Sequence, residues 1–214
     1  MTSMLRSNLI VASGTALSRL TGLLRIVVLA YVLGQTALAD AYKLSNETPN
    51  IVYDLLIGGV LSATLVPLFS TFVEEEDDES TNVVLTVATA LMAALTVVAV
   101  LAAPLIFRLY SLNVDDAVDA DVFRSVGTTL TRIFLIQILF YGLVGLANAF
   151  LNSRRRYFAA AWSPILPNLI IILTLLSLPN AGTTDWQLQD VLDDNRLRLT
   201  LSLGATVGIA SMAV

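Results

Sequence analysis

Apolar residues run almost unbroken through residues 8–33, 82–107, 126–151 and 159–178, with short polar connections between the runs. An α-helix rises 1.5 Å per residue, so each run reaches across the roughly 30 Å hydrocarbon core of a bilayer. A further segment, 41–72, is apolar from Asn50 onward and more polar before it, with Pro49 at the change. Because proline removes a backbone donor, this pattern predicts a span that is broken near Pro49. A sixth run starts at 199 and is still apolar at Val214. The pattern therefore predicts an all-α, polytopic transmembrane helix bundle of five complete spans and a truncated sixth, with the chain an N-terminal lobe of something longer. Runs this long and this continuously apolar satisfy their backbone hydrogen bonds as helices; barrel strands would alternate. Pro179 and Asn180 after the fifth run, and Asn152 and Ser153 after the fourth, are suitable helix breakers.

Composition agrees with this pattern. Hydrophobic residues make up 56% of the chain and charged residues 14%, against about 25% in a soluble domain. There is no Cys and no His, which excludes disulfides, thiolate nucleophiles, the usual zinc sites and imidazole acid–base catalysis. No catalytic set, metal site or cofactor motif is read from what remains, and the chain is not expected to be an enzyme. Most of the acidic residues lie in three stretches, 74–79, 115–121 and 185–194, which read as solvated loops. The one dense basic cluster, Arg154 to Arg156, sits between two apolar runs, so nucleic acid is not an expected partner. That cluster occupies a very short connection, where the positive-inside bias is strongest, and it places the N-terminus on the cytoplasmic side. Arg6, Arg19 and Arg25 ahead of Ala37-Leu38-Ala39 imitate a cleavable leader, but a leader would not embed two arginines in its apolar stretch.

Those two arginines are where candidate chemistry begins. Arg19 and Arg25 interrupt the first apolar run, and each would cost about 2.5–3.5 kcal/mol at the bilayer centre unless it meets a polar surface. Gly14, Ser18 and Gly22 recur every fourth residue and Arg25 falls near the same stripe, which marks a close-packing or cavity-lining face. In the next segment Asp40, Lys43, Glu47 and Asp54 project within about 60° of one another on a regular helix. One face thus carries four ionisable groups, as expected of a helix beside a wet cavity. Asn50, Arg132 and Gln137 add further polar points within apolar surroundings. A hydrated cavity with excess positive charge from Arg19 and Arg25 would attract an anion, and the planar fork of arginine suits phosphate.

Several of these residues fall into a longer pattern. Ser18-Arg19-Leu20-Thr21-Gly22-Leu23-Leu24-Arg25 is followed by Leu33-Gly34, Ala39-Asp40-Ala41, Pro49-Asn50 and Val66-Pro67, and then by Gln137, Tyr141-Gly142, Leu151-Asn152 and Pro164 to Asn168. In order and spacing this resembles the MurJ/MviN lipid II flippase family of the MOP exporter superfamily. The resemblance implies one lobe of a two-lobed transporter in the bacterial inner membrane. Such a transporter carries the undecaprenyl-pyrophosphate-linked cell-wall precursor outward by alternating access, without a cofactor. It implies Ser18, Arg19, Arg25 and Asp40 as substrate-binding positions, with Lys43, Glu47, Asn50, Asp54, Arg132 and Gln137 as cavity or gating candidates. The partners it implies are the lipid-linked substrate, membrane lipids and cell-wall synthesis proteins. At the second helix the chain departs from the arginine-rich pattern of many members: Tyr53, Asp54 and Gly58 stand there instead, in a style resembling actinobacterial members. Other readings are a polysaccharide or drug exporter of the same superfamily, or a membrane scaffold for cell-wall enzymes that transports nothing.

Overall fold

A computed structural model describes residues 2–55, 61–75, 77–154, 156, 158–179, 181–182 and 186–213; for residues 2–8, 61 and 62 it describes the backbone alone. Arg155 and Gly58 thus lie outside the described residues. Helix α1 spans Thr2–Leu33 and ends at Gly34, whose φ of 67° is left-handed backbone that favours glycine. Two residues later the Thr36 hydroxyl accepts from the Ala39 amide, capping α2, Ala37–Tyr53. From Asp54 the backbone leaves α-geometry. A π-helical turn, Leu61–Leu65, leads into α3, Val66–Glu74. Next come α4 (Asp78–Tyr110), α5 (Ala120–Phe134), α6 (Gln137–Ser153), α7 (Phe158–Trp162), α8 (Ile165–Leu176), α9 (Leu188–Asp193) and α10 (Asn195–Ala210).

Among the described residues, four segments are long and apolar enough to cross a membrane: Leu9–Leu33, Asp78–Tyr110, Ala120–Ser153 and Phe158–Leu176. The first and second of these are α1 and α4. The other two are helix pairs, α5–α6 and α7–α8, each interrupted by two residues. The expected break near Pro49 is displaced: α2 runs through the proline, and regular α-geometry is lost only at Asp54. A single missing donor does not end a helix whose neighbours pack around it. The segment expected as the sixth span begins earlier than 199, because the Asp194 carboxylate accepts from the Arg196 and Leu197 amides and starts α10.

The acidic stretches are not plain loops. Asp77, Asp119 and Asp194 are the N-caps of α4, α5 and α10, each accepting from amides of the first turn, where a negative charge also meets the positive end of the helix dipole. The stretch 185–194 even contains α9, with Val191 fully buried.

Helix α5 is the centre of the bundle. Its residues Phe123, Val126, Leu130 and Phe134 recur at helical spacing and are buried among Leu38 and Tyr42 of α2, Phe107 of α4, and Leu197 and Leu201 of α10. Small residues bring the backbones close, as expected where no solvent-driven force holds helices together in lipid. A Cβ on Gly127 would overlap the Phe107 ring, one on Gly204 would overlap Thr174, and one on Gly208 would stand 3.2 Å from the Pro167 backbone. The Ser45 hydroxyl donates to the Gly127 carbonyl at 3.1 Å and ties α2 to α5. The outside is the reverse of a soluble protein, with Leu20, Leu23 and Val27 of α1 and Val98, Leu101 and Leu105 of α4 all exposed. Apolar solvent is what such faces require.

Replacing Gly127 by Ala is expected to lower stability by about 1–3 kcal/mol through overpacking against Phe107, seen as a lower unfolding midpoint of the purified protein in detergent. At the α4 cap, hydrogen bonds from Ser80 hold the Asp77 carboxyl below the ordinary carboxylate range. A depressed carboxyl stabilises the fold above its unfolded pKa of about 3.9 and loses that contribution as pH falls through the still lower folded value. Amide protection in the first turn of α4 should therefore weaken below about pH 4, and Asp77→Asn should remove this dependence.

Candidate functional site

Helix α2 has two unlike sides. Leu38, Ala39, Ala41, Tyr42, Ser45, Thr48 and Pro49 are buried against the bundle, the phenol ring of Tyr42 meeting Phe134 edge-on with centroids 5.5 Å apart. Asp40, Lys43, Glu47, Asn50 and Asp54 are all exposed. The face expected from helical periodicity therefore exists, and Asn50 belongs to it as well. A stripe of four ionisable groups and an amide cannot border hydrocarbon without heavy cost, so it requires water or protein against it.

Beside this stripe a groove of about 280 Å³ opens between α1, α2 and α8. Gly34, Gln35 and Thr36 join α1 to α2. Arg25 from α1 and Tyr42, Lys43, Asn46 and Glu47 from α2 supply the groove's polar lining; Ile26, Leu29 and Ile171 supply the apolar side. Arg25 is half-buried. Among the described residues the ion pairs are Lys43–Asp40 at 3.9 Å and Arg124–Asp121 at 3.8 Å, so Arg25 faces the groove without a carboxylate partner. A permanently charged fork donor in a partly apolar recess has the chemistry to pair with a doubly oxygenated anion such as phosphate. The volume lies below the usual range for drug-sized ligands, about 300–1,000 Å³, and suits a headgroup fragment with an apolar extension.

The remaining candidates sit elsewhere. Arg19 is exposed on α1 and does not line the groove. Ser18 belongs to a helix contact: its carbonyl accepts from Asn168 Nδ2 at 3.2 Å, and the same nitrogen donates to Thr21 Oγ1 at 3.1 Å. The Gly14-Ser18-Gly22 stripe is accordingly a packing face, with Gly14 against the Trp162 indole and Gly22 opposite Asn168. Indole Nε1 completes the seam by donating to the Ile10 carbonyl at 3.1 Å. Arg132 is exposed at the end of α5. Gln137, at the start of α6, is fully buried and its Nε2 donates to Thr206 Oγ1 of α10 at 3.4 Å. Gln137 is thus a link between helices inside the bundle and does not reach the groove. Sequence reasoning did not single out Tyr42, Asn46 or Ile171 as lining residues. Asn46 was within reach of it, since it follows Lys43 by three positions on the same helix; Ile171 was not, because only tertiary packing brings α8 to α1.

Residues 29–213 match the family described as "Lipid II flippase MurJ". This chain belongs to that family. The match begins just after Arg25 and takes in α2 through α10. Among MurJ relatives, the chain is 28% identical over 173 residues to the probable lipid II flippase MurJ of Haemophilus influenzae, covering 77% of this chain and 34% of the relative. It is 28% identical over 174 residues to the lipid II flippase MurJ of Burkholderia cenocepacia, covering 79% and 33%. With the probable lipid II flippase MurJ of a Synechocystis species the identity is 27% over 207 residues, covering 96% and 37%. The chain therefore spans about a third of the length of the curated MurJ relatives it matches. Family and apolar helices together make it a multi-pass protein of the bacterial inner membrane, in a family of transporters and not of catalysts.

The absence of native cysteine makes the exposed stripe directly testable. Single cysteines at Asp40, Lys43, Glu47 and Asn50 should react with a membrane-impermeant, water-soluble thiol reagent in one orientation of the vesicle. Cysteines at Val98, Leu101 and Leu105, on the exposed apolar face of α4, should react at least about tenfold more slowly. Equal labelling of both sets would show that the stripe has no water against it.

Proposed function

We propose that this chain forms part of a lipid II flippase that moves an undecaprenyl-pyrophosphate-linked precursor across the inner membrane by alternating access. The groove between α1 and α2 would take the pyrophosphate. The observation that carries this reading is the half-buried Arg25, in no ion pair among the described residues, beside the exposed polar stripe of α2. A pyrophosphate leaving the headgroup region exchanges hydration for protein donors, and each charge-assisted bond gains strength as water is excluded. The apolar side formed by Ile26, Leu29 and Ile171 gives the adjoining prenyl chain a surface of its own kind.

Arg19 takes a different place in this proposal. An exposed arginine ten residues into the Leu9–Leu33 span needs a polar environment, and it would face the hydrated pathway shared with the rest of the transporter, meeting the substrate at another stage of its passage. Asp40 and Asp54 would line the same pathway. The N-terminus and the Arg154–Arg156 connection lie on the cytoplasmic side in this reading, and α2 with α3 completes a further crossing, broken at the π-helical turn.

Complementation of a flippase-depleted host by the intact protein tests the proposal. Arg25→Ala should abolish growth at normal protein level, and Arg25→Lys should restore it only in part, because lysine keeps the charge and loses the fork. Glu75→Gln, in the exposed α3–α4 connection, should be silent. Full growth with Arg25→Ala would remove the pyrophosphate role of the groove.

A further inference from the structure

Lys43 has two destinations. Its Nζ lies 3.9 Å from Asp40 Oδ1, one turn back on α2, and the two side chains are 50% and 69% exposed. A long, solvent-accessible contact of this kind is weak and readily exchanged. The same lysine lines the groove with Arg25, Asn46 and Glu47, and its flexible stem lets the ammonium swing where an arginine fork would be held. The position of that ammonium sets the charge of the groove. As it stands, Lys43 lines the groove while Asp40 offsets its charge, which leaves Arg25 against Glu47, one cation against one carboxylate. With Lys43 turned inward, two cations face one carboxylate and an anion is attracted.

We propose that Lys43 is a second anion-binding group of the groove, which Asp40 and the substrate's phosphate compete to hold, so that Asp40 drives release of the bound anion. The inference rests on the reading that the groove receives a pyrophosphate, and it adds a residue and a regulation to it. Asn46, on the same wall, has an amide that can donate to a phosphate oxygen in either state. Glu47 bears on the exchange as well. Its carboxylate repels an anion in the groove and lies at i,i+4 from Lys43, so it favours release alongside Asp40.

The test measures binding of farnesyl pyrophosphate, and of inorganic pyrophosphate in a parallel arm, to the intact purified protein by calorimetry. Lys43→Ala should weaken the farnesyl pyrophosphate complex about tenfold, and Lys43→Arg should recover most of the loss. Asp40→Asn should tighten binding several-fold, and this gain should vanish in the Asp40→Asn, Lys43→Ala double variant. In complementation Asp40→Asn should nevertheless grow poorly, since an anion held too firmly is not delivered; a merely structural role for Asp40 would not tighten binding while lowering transport. Inorganic pyrophosphate should bind more weakly but show the same ordering of variants. If Lys43→Ala binds like wild type while Arg25→Ala does not, the exchange is wrong and the groove reading stands. If Asp40→Asn tightens binding equally with and without Lys43, the competition is also wrong. Full affinity in Arg25→Ala would instead overturn the groove reading on which the inference rests. Unfolding midpoints within a degree or two of wild type confirm that each variant is folded.

Discussion

Hydrocarbon offers a polar group neither a hydrogen bond nor a counter-ion, so each must find both within the protein or in trapped water. That constraint orders this structure. The backbone answers it with helices, and their unpaired ends are closed by Thr36, Asp77, Asp119 and Asp194. Side chains answer it in pairs across the bundle, as Ser45 does with Gly127 and Gln137 with Thr206. Along the exposed stripe of α2, the long Lys43–Asp40 contact is the one ion pair among the described residues. A helix whose other side is pinned by Leu38, Tyr42 and Ser45 cannot rotate the stripe away, so the requirement passes to whatever the stripe faces.

The division of labour between α5 and α1 follows from the same constraint. Helix α5 sits in the centre and is tightly packed, with Gly127 admitting the Phe107 ring, whereas α1 meets α7 and α8 along a seam of Gly14, Ser18, Thr21 and Asn168 and buries Leu29, Val32 and Leu33 of its last turns in the core. Seams of small residues and shared hydrogen bonds hold helices together with little dependence on side-chain interlocking. Away from these two anchors α1 exposes Leu20, Leu23 and Val27 and turns Arg25 to the groove.

Periodicity alone made the polar face of α2 and the apolar extents of α1 and α4 legible in the sequence. It also marked Arg25, although the stripe it shares with Gly14, Ser18 and Gly22 divides in three dimensions: the small residues pack, and the arginine beyond them opens onto a recess. Other features had no local signal. The α5–α6 interruption falls at Leu135-Ile136, with no glycine or proline between residues 128 and 141, while Pro49 and Pro104 sit inside helices that continue through them. Proline is a strong punctuator when solvent competes for the freed carbonyl; within a bundle, neighbouring helices override it. The acidic stretches were legible as surface, yet their capping role depends on where each helix starts, and that is a tertiary outcome. Ile171 reached the groove from another part of the chain, and Arg19 parted from Arg25 because residues six apart on a helix project about 120° from one another.

The turn at Gly34 has a mechanical consequence. It joins α1 to α2, and Arg25 lies nine residues up α1 from it. At 1.5 Å per residue that stretch is about 13 Å long, so an angular change of about 10° at the joint would shift the guanidinium by roughly 2 Å, close to the difference between a hydrogen bond and none. On the proposed reading of the groove, leverage of this sort would let a small rotation in a three-residue joint switch the grip on an anion from on to off, with neither helix unwinding.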